Sequence, residues 1–232
     1  LAIVERGRIR VIGAPDLHPF RLLDMREFDM MEIIVTESTM KRATHSRKEA
    51  SHERIVEAAA RAIRRSGYGG SGVADIMKAA GLTHGGFYAH FASREAMLAE
   101  AADRAGAETV AALTRIAADA PPQRAMGSLL RAYLSKEHLE ATERGCPAAA
   151  LGSEMPRQAP EVRRAATRHI KEMIDLIARQ SPEWGGPAAH ERALVTVATM
   201  VGALSLARAV DDLRLSDALR EAALNHLVPV NG

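Results

Sequence analysis

The stretch GLTHGGFYAHF, Gly81 to Phe91, decides how this chain is read. The whole sequence has eight aromatic residues: Phe20, Phe28, Tyr68, Phe87, Tyr88, Phe91, Tyr133 and Trp184. Three of them fall inside these eleven positions, beside two histidines and three glycines. Gly81 is placed to end one helix. Thr83 stands where the next helix needs an N-cap, and Leu82 and Phe87 flank it at the spacing of a hydrophobic staple. Helix, glycine turn and short helix, with His84 opening the second helix, is the helix-turn-helix pattern. Gly85 and Gly86 weaken that second helix and keep it brief. Phe87 and Phe91 stand four apart, share a face and read as the core of a small domain. Thr83, His84, Gly85 and Gly86 lie at the helix N-terminus, the end that enters a major groove. Tyr88, His90 and Arg94 can donate hydrogen bonds to phosphate oxygens.

The flanks agree with this reading. Upstream, Ser51 is a candidate N-cap, and Ile55, Ala58, Ala59, Ala62 and Ile63 repeat at helical spacing until Gly67 stops the run. After the loop around Gly69-Gly70-Ser71-Gly72, a short helix carries Val73, Ile76, Met77 and Ala80 on one face. Downstream, Ser93 caps a longer helix to about Ala117 through Met97, Leu98, Ala101 and Ala105.

Composition bounds the rest. The chain has 232 residues, rich in alanine, leucine, arginine and glutamate, which favours helix. No apolar run in the sequence approaches the roughly 20 residues of a membrane span, and the charged start LAIVERGRIRVIG does not read as a signal peptide. A single cysteine, Cys146, excludes an internal disulfide and a multi-cysteine zinc site, and a reducing cytoplasmic setting follows as the default. The net charge is +2, but residues 41–104 hold eleven Lys and Arg against seven acids. The positive excess thus surrounds the opening stretch and suits a polyanion. Residues 1–39 differ in character, with Pro15 and Pro19 interrupting short apolar runs. RIRVI and MEIIV have strand composition but no obvious partners. Met40 opens a polar, basic segment and is a candidate natural start, with residues 1–39 an extension.

Residues 71–95, SGVADIMKAAGLTHGGFYAHFASRE, resemble the DNA-binding domain of TetR-family transcriptional regulators. The resemblance rests on Gly67-Tyr68, Val73, Asp75-Ile76, Ala80-Gly81, Gly85, Tyr88, His90-Phe91 and Ser93-Arg94-Glu95, and covers roughly Arg47 to Met97. Gly72 stands where Ser or Thr is more usual, leaving Ser71 as the candidate cap and phosphate donor. Gly86 replaces a larger residue and supplies no side chain to a base. The resemblance implies an all-α chain: a three-helix head at residues 40–100 and a larger ligand-binding and dimerisation domain at residues 101–232. It further implies a homodimeric repressor on a double-stranded, palindromic DNA operator, released by a small-molecule effector, with no cofactor, no metal and no membrane. The DNA contacts it assigns are Ser71, Thr83, His84, Gly85, Gly86, Tyr88, His90 and Arg94.

The C-terminal two-thirds fits a helical domain. Pro121-Pro122 opens a helix with Met126, Leu129, Leu130, Tyr133 and Leu134 on its apolar face, and Pro147 is placed as a first helical residue. Further helices start near Pro160, Ala188 and Leu215. Ala198, Gly202, Ser205 and Ala209 form a small-residue stripe that suits close approach of another helix, at a dimer interface or within one subunit. Tyr133, Cys146, Met155 and Met173 are candidate effector contacts. Cys146 beside a helix N-terminus offers an alternative, a regulator that senses oxidants or electrophiles through its thiol. A more distant alternative is a helical enzyme with a vestigial head, but the sequence holds neither a phosphate-binding loop nor a nucleophile turn. His138 and His169 have no compact metal-ligand spacing with Cys146 or Glu154.

Overall fold

Between Met25 and Ser66 the sequence contains neither glycine nor proline, so nothing stops a helix once it has begun. The computed structural model describes residues 2–5, 8–11, 25–70, 72–181 and 183–228, and for residues before 46 the backbone course alone. It divides into two compact units, Leu1–Arg47 and Lys48–Gly232. In the first, strands β1 (Ala2–Glu5) and β2 (Arg8–Val11) pair antiparallel, Ala2 opposite Val11. The RIRVI run therefore supplies a strand, and AIVE is its partner. MEIIV does not, because Met31–Val35 lies inside the continuous helix α1 (Met25–Ser66). For the same reason Ser51 is not an N-cap; its hydroxyl accepts from the Arg54 guanidinium at 3.2 Å within that helix.

The second unit is all-α. After α1 come α2 (Val73–Ala79), a 3-10 segment at His84–Ala89, and the long α3 (Arg94–Asp119). Gly67 (φ 75°) and Gly81 (φ 70°) turn the chain after α1 and α2 in the left-handed conformation that glycine adopts without strain. Ser93 caps α3, accepting from the Ala96 amide at 3.1 Å, as its position requires. Thr83 occupies the N-cap position of the 3-10 segment but makes no capping hydrogen bond. Two adjacent glycines leave that segment as a 3-10 turn rather than an α-helix.

Helices α4 (Ala125–Tyr133), α5 (Lys136–Glu140), α6 (Pro147–Leu151), α7 (Pro160–Arg179), α8 (Pro187–Ala209) and α9 (Leu213–Leu227) complete the unit. Two apolar cores hold it. One contains Ile55, Ile63, Tyr68, Met77, Phe87, Phe91 and Leu98, and continues into Leu151, Val162 and Ala165 of the later helices. The other gathers Leu129, Leu130, Tyr133, Met173, Ile177, Met200 and Leu204. Helix α8 departs from the expectation that no segment is apolar enough to span a membrane. Among the described residues it meets that standard by length and composition, with a mean hydropathy of 1.3 in its most apolar window, of which 33% is buried. Its apolar residues lie both inward and outward: Val197, Met200 and Leu204 are buried, whereas Leu194, Val195 and Leu206 are exposed.

Helix α3 packs chiefly on α7, and Gly106 sets their approach. A Cβ there would collide with the imidazole of His169. We expect Gly106→Ala to destabilise the protein by about 1–2 kcal/mol, overpacking outweighing the gain in helix propensity. In a denaturant double-mutant cycle, His169→Ala should recover part of that loss, giving a coupling energy on the order of 0.5 kcal/mol or more.

Candidate DNA interface and effector cavity

The aromatic cluster builds the head from within. Phe87 and Phe91 are 2% and 3% exposed, with ring centroids 5.6 Å apart, and His52 of α1 stacks on Phe91 at 4.5 Å. His52 also bonds Glu100 of α3 at 2.6 Å, closing α1 against α3. This stack turns the other face of His84–Ala89 to solvent. Thr83, His84 and Gly85 are exposed, Gly86 is half-buried against Met77, and the Tyr88 ring is 76% exposed. His90 and Arg94 are placed differently. His90 is half-buried, and its Nδ1 is buried without a hydrogen-bond partner among the described residues. Burial, then the neighbouring His52 and Lys48, lower its proton affinity below that of a free histidine. The Arg94 guanidinium donates to the carbonyl oxygen of Tyr68, so it braces the α1–α2 loop. Ser71 lies outside the described residues. Sequence reasoning did not single out Arg54 and Lys78, both exposed, with the Arg54 guanidinium beside the Gly81 turn. The positive excess of residues 41–104 was the available signal.

The α1–α2 loop is held from both sides. While Arg94 takes the Tyr68 carbonyl, the Glu154 carboxylate accepts from the Tyr68 amide at 2.9 Å. Arg64, 4% exposed, donates to the carbonyls of Ala105 (2.8 Å) and Glu143 (3.0 Å) and pairs with Glu108 at 2.6 Å. The head is thus fastened to the segment between α5 and α7 as well as to α3.

That segment, with α3 and α7, encloses a cavity of about 380 Å³ with mostly hydrocarbon walls. This is the size and character of a small-molecule site. Of the candidate contacts, Cys146, Met155 and Met173 line it, and Tyr133 does not. Tyr133 is buried in the second core with its hydroxyl beside the Cys146 thiol, and its ring meets His138 edge-on at 4.8 Å. His169 lines the cavity between two carboxylates, Asp103 at 2.6 Å and Glu172 at 2.7 Å. Burial would raise the Asp103 carboxyl, but hydrogen bonds from Arg168 and His169 and their charge outweigh it and hold it below the ordinary range. Among the described residues no three His, Cys, Asp or Glu side chains gather as a metal site.

Residues 55–101 match the model for bacterial regulatory proteins of the tetR family, and residues 122–223 match the C-terminal domain of LmrA/YxaF-like transcriptional regulators. The HTH-type transcriptional regulator Rv0196 of Mycobacterium tuberculosis is 34% identical over 189 residues, which span 76% of this chain and 93% of that one. This chain belongs to the tetR family. Among solved structures, the TetR transcriptional regulator of Chloroflexus aurantiacus superposes with a TM-score of 0.64 at 28% identity, over 78% of this chain and 94% of the other. The reduced form of E. coli NemR shares the fold, with a TM-score of 0.66 at 21% identity over 76% of this chain and 94% of that one. The protein is a DNA-binding transcriptional regulator of the TetR family, with a helix-turn-helix head and a larger helical C-terminal domain.

In this TetR-family chain, Cys146 is 2% exposed and stands at the start of α6. Its amide donates to His138 Nε2 at 3.0 Å, while His138 Nδ1 donates to the Tyr133 carbonyl at 2.6 Å. Accepting at Nε2 requires a neutral ring. Burial first, and then the charge of Arg208, lower the His138 proton affinity from its ordinary value of 6.5, against the pull of the Tyr133 carbonyl. The unfolded chain therefore takes up this proton at higher pH than the folded one, and folding stability falls as pH drops below about 6.5. We expect the melting temperature to fall between about pH 7.5 and pH 5.5, and His138→Gln to flatten that dependence, measured by thermal unfolding across the range. The Asp103 contribution has the opposite origin and another window: it is present above the ordinary carboxylate value of 3.8 and lost as pH falls through the lower folded value.

Proposed function

We propose that this chain is a homodimeric repressor that holds a palindromic operator and is released by a small molecule in the α3–α7 cavity. The observation that carries the reading is the pairing, in one unit, of an exposed Thr83–Tyr88 face with an apolar cavity whose walls also fasten the head. In this reading residues 40–100 act as the DNA-binding domain, residues 101–232 as the effector and dimerisation domain, and residues 1–39 as an extension. The protein works in the cytoplasm, where the operator is. Thr83 and His84 face base edges, with Gly85 and Gly86 letting the backbone approach, and Tyr88 meets the phosphates. Arg54 and Lys78 add positive charge beside the turn, and Arg94 supports the site from behind.

Dimerisation through α8 and α9 is supported by apolar side chains that α8 leaves uncovered. Leu194, Val195 and Leu206 are 44%, 56% and 55% exposed, and Leu213 and Leu215 extend the surface on α9. Gly202 has open space over its Cα, and Ala198 and Ala209 are exposed, so a partner helix can approach closely there. Ser205 departs from the stripe: its hydroxyl donates to the Ala149 carbonyl at 2.8 Å inside the subunit. A dimer sets two heads one DNA turn apart, roughly 34–36 Å. A second reading, sensing through Cys146, is favoured by the place of that residue on the cavity wall. An effector response abolished by Cys146→Ser would select it.

The test begins with operator sites selected from random duplex DNA at fixed salt. We expect palindromic sites bound by two subunits, and Gly202→Arg to yield monomers with much weaker operator binding. Tyr88→Ala should weaken all sequences alike, whereas His84→Ala should change preference among operator variants by about 1–3 kcal/mol. Wild-type affinity and preference in both head variants would overturn the assignment of these contacts.

A further inference from the structure

The cavity carries one polar group that nothing in the protein satisfies. Tyr68 is 1% exposed and lines the cavity, yet its hydroxyl has no hydrogen-bond partner among the described residues. A buried hydroxyl without a partner is costly, and such a group in a cavity wall is a donor waiting for a ligand acceptor. Burial, and then the nearby Glu154 carboxylate, push the phenol well above its ordinary value, so it remains a donor at any physiological pH. The first turn of α7 contributes to the same core as Tyr68, through Val162. Next to it, the exposed Arg163 lines the cavity with no ion-pair partner among the described residues. Much of the remaining wall is hydrocarbon, from Ala102, Val110, Met155, Ile170 and Met173 among others, with Thr109, Thr167 and His169 adding polar atoms. Met155 and Met173 are unbranched and flexible, and can adapt to an extended aliphatic chain.

We propose that the effector is an aliphatic carboxylate whose acidic group accepts a hydrogen bond from the Tyr68 hydroxyl and is balanced by Arg163. This rests on the reading of the cavity as the effector site and names its ligand class. It also gives the ligand a direct hold on the DNA-binding head. Tyr68 belongs to the α1–α2 loop, whose amide and carbonyl are already fixed by Glu154 and Arg94. A ligand on the hydroxyl is a third attachment to the same residue. It therefore acts on the loop leading into α2.

The experiment is calorimetric titration of the full chain with decanoate, decylamine and decanol, repeated on Tyr68→Phe and Arg163→Gln. Decanoate should bind at least about tenfold tighter than the amine or the alcohol, and Tyr68→Phe should weaken decanoate about tenfold, the loss of one hydrogen bond to a charged group. Tyr68→Phe should leave the thermal stability of the ligand-free protein unchanged or higher, because it removes a donor that has no partner. Arg163→Gln should bring decanoate and decanol closer together. No binding of decanoate, amine binding as tight as decanoate, or full decanoate affinity in Tyr68→Phe would each overturn the proposal. Operator affinity measured alongside separates the two readings. Tyr68-dependent carboxylate binding that leaves operator affinity unchanged sinks the effector reading and keeps the site. Operator release by the amine alone keeps the effector reading and sinks the carboxylate.

Discussion

Helix α3 runs past α7 at a point where only glycine fits, and the His169 ring fills the space that a Cβ at Gly106 would occupy. The ring is not free to yield, because Asp103 of α3 and Glu172 of α7 hold its two nitrogens. The α3–α7 distance is therefore set by packing and by charged hydrogen bonds together. The head and the cavity both depend on this contact. The N-terminal end of α3 closes the head through His52 and Glu100, and its middle forms one wall of the cavity. Tightly packed interfaces move between discrete arrangements rather than deforming smoothly. The effector proposed for the cavity would therefore act on a contact that belongs to both ends of the protein.

The packing also runs across residue 100 without a break. Leu151, Val162 and Ala165 complete the core that begins with Ile55 and Phe87. Arg64 reaches from the end of α1 to the carbonyls of Ala105 and Glu143, burying its charge among acceptors rather than in solvent. Such a buried guanidinium costs little only while its partners remain in place. A head anchored in this way is carried by the segment between α5 and α7 as much as by α3, and the cavity wall and the anchor are the same piece of chain.

Much of this was legible in the sequence, because the periodicity of apolar residues and the positions of Gly67, Gly81, Ser93, Pro147 and Pro160 are local signals. The crowding of aromatics at residues 81–91 correctly announced a small core with an exposed edge. What escaped were relations between distant residues. Glu154 holds an amide 86 positions away, and His169 meets Asp103 across 66. No spacing rule reports such pairs, so Tyr68 read as a family feature rather than a cavity wall. The charge of Arg94 is visible in sequence, whereas its hydrogen bond to the Tyr68 carbonyl is not. Ser51 misled for the opposite reason: its local capping signal is sound, but the uninterrupted run from Met25 overrides it. The outward apolar face of α8 likewise emerges only once α7 and α9 have covered the other side.

The glycine pair in the recognition segment has a consequence for how much information the protein can extract from DNA. Gly85, Gly86 and Ala89 carry no polar tip, and Phe87 is buried, so the exposed polar side chains from Thr83 to Tyr88 are Thr83, His84 and Tyr88. A good base contact discriminates by about 1–3 kcal/mol, so a head with one or two of them separates sequences by a few kcal/mol at most. A genome presents on the order of a million or more competing sites, and singling out one of them takes roughly 8 kcal/mol. In the proposed dimer two such heads multiply their selectivities, and the deformability of the DNA between half-sites contributes the remainder. For a reader with so short an alphabet, the spacing of two heads in the proposed dimer is itself part of the message.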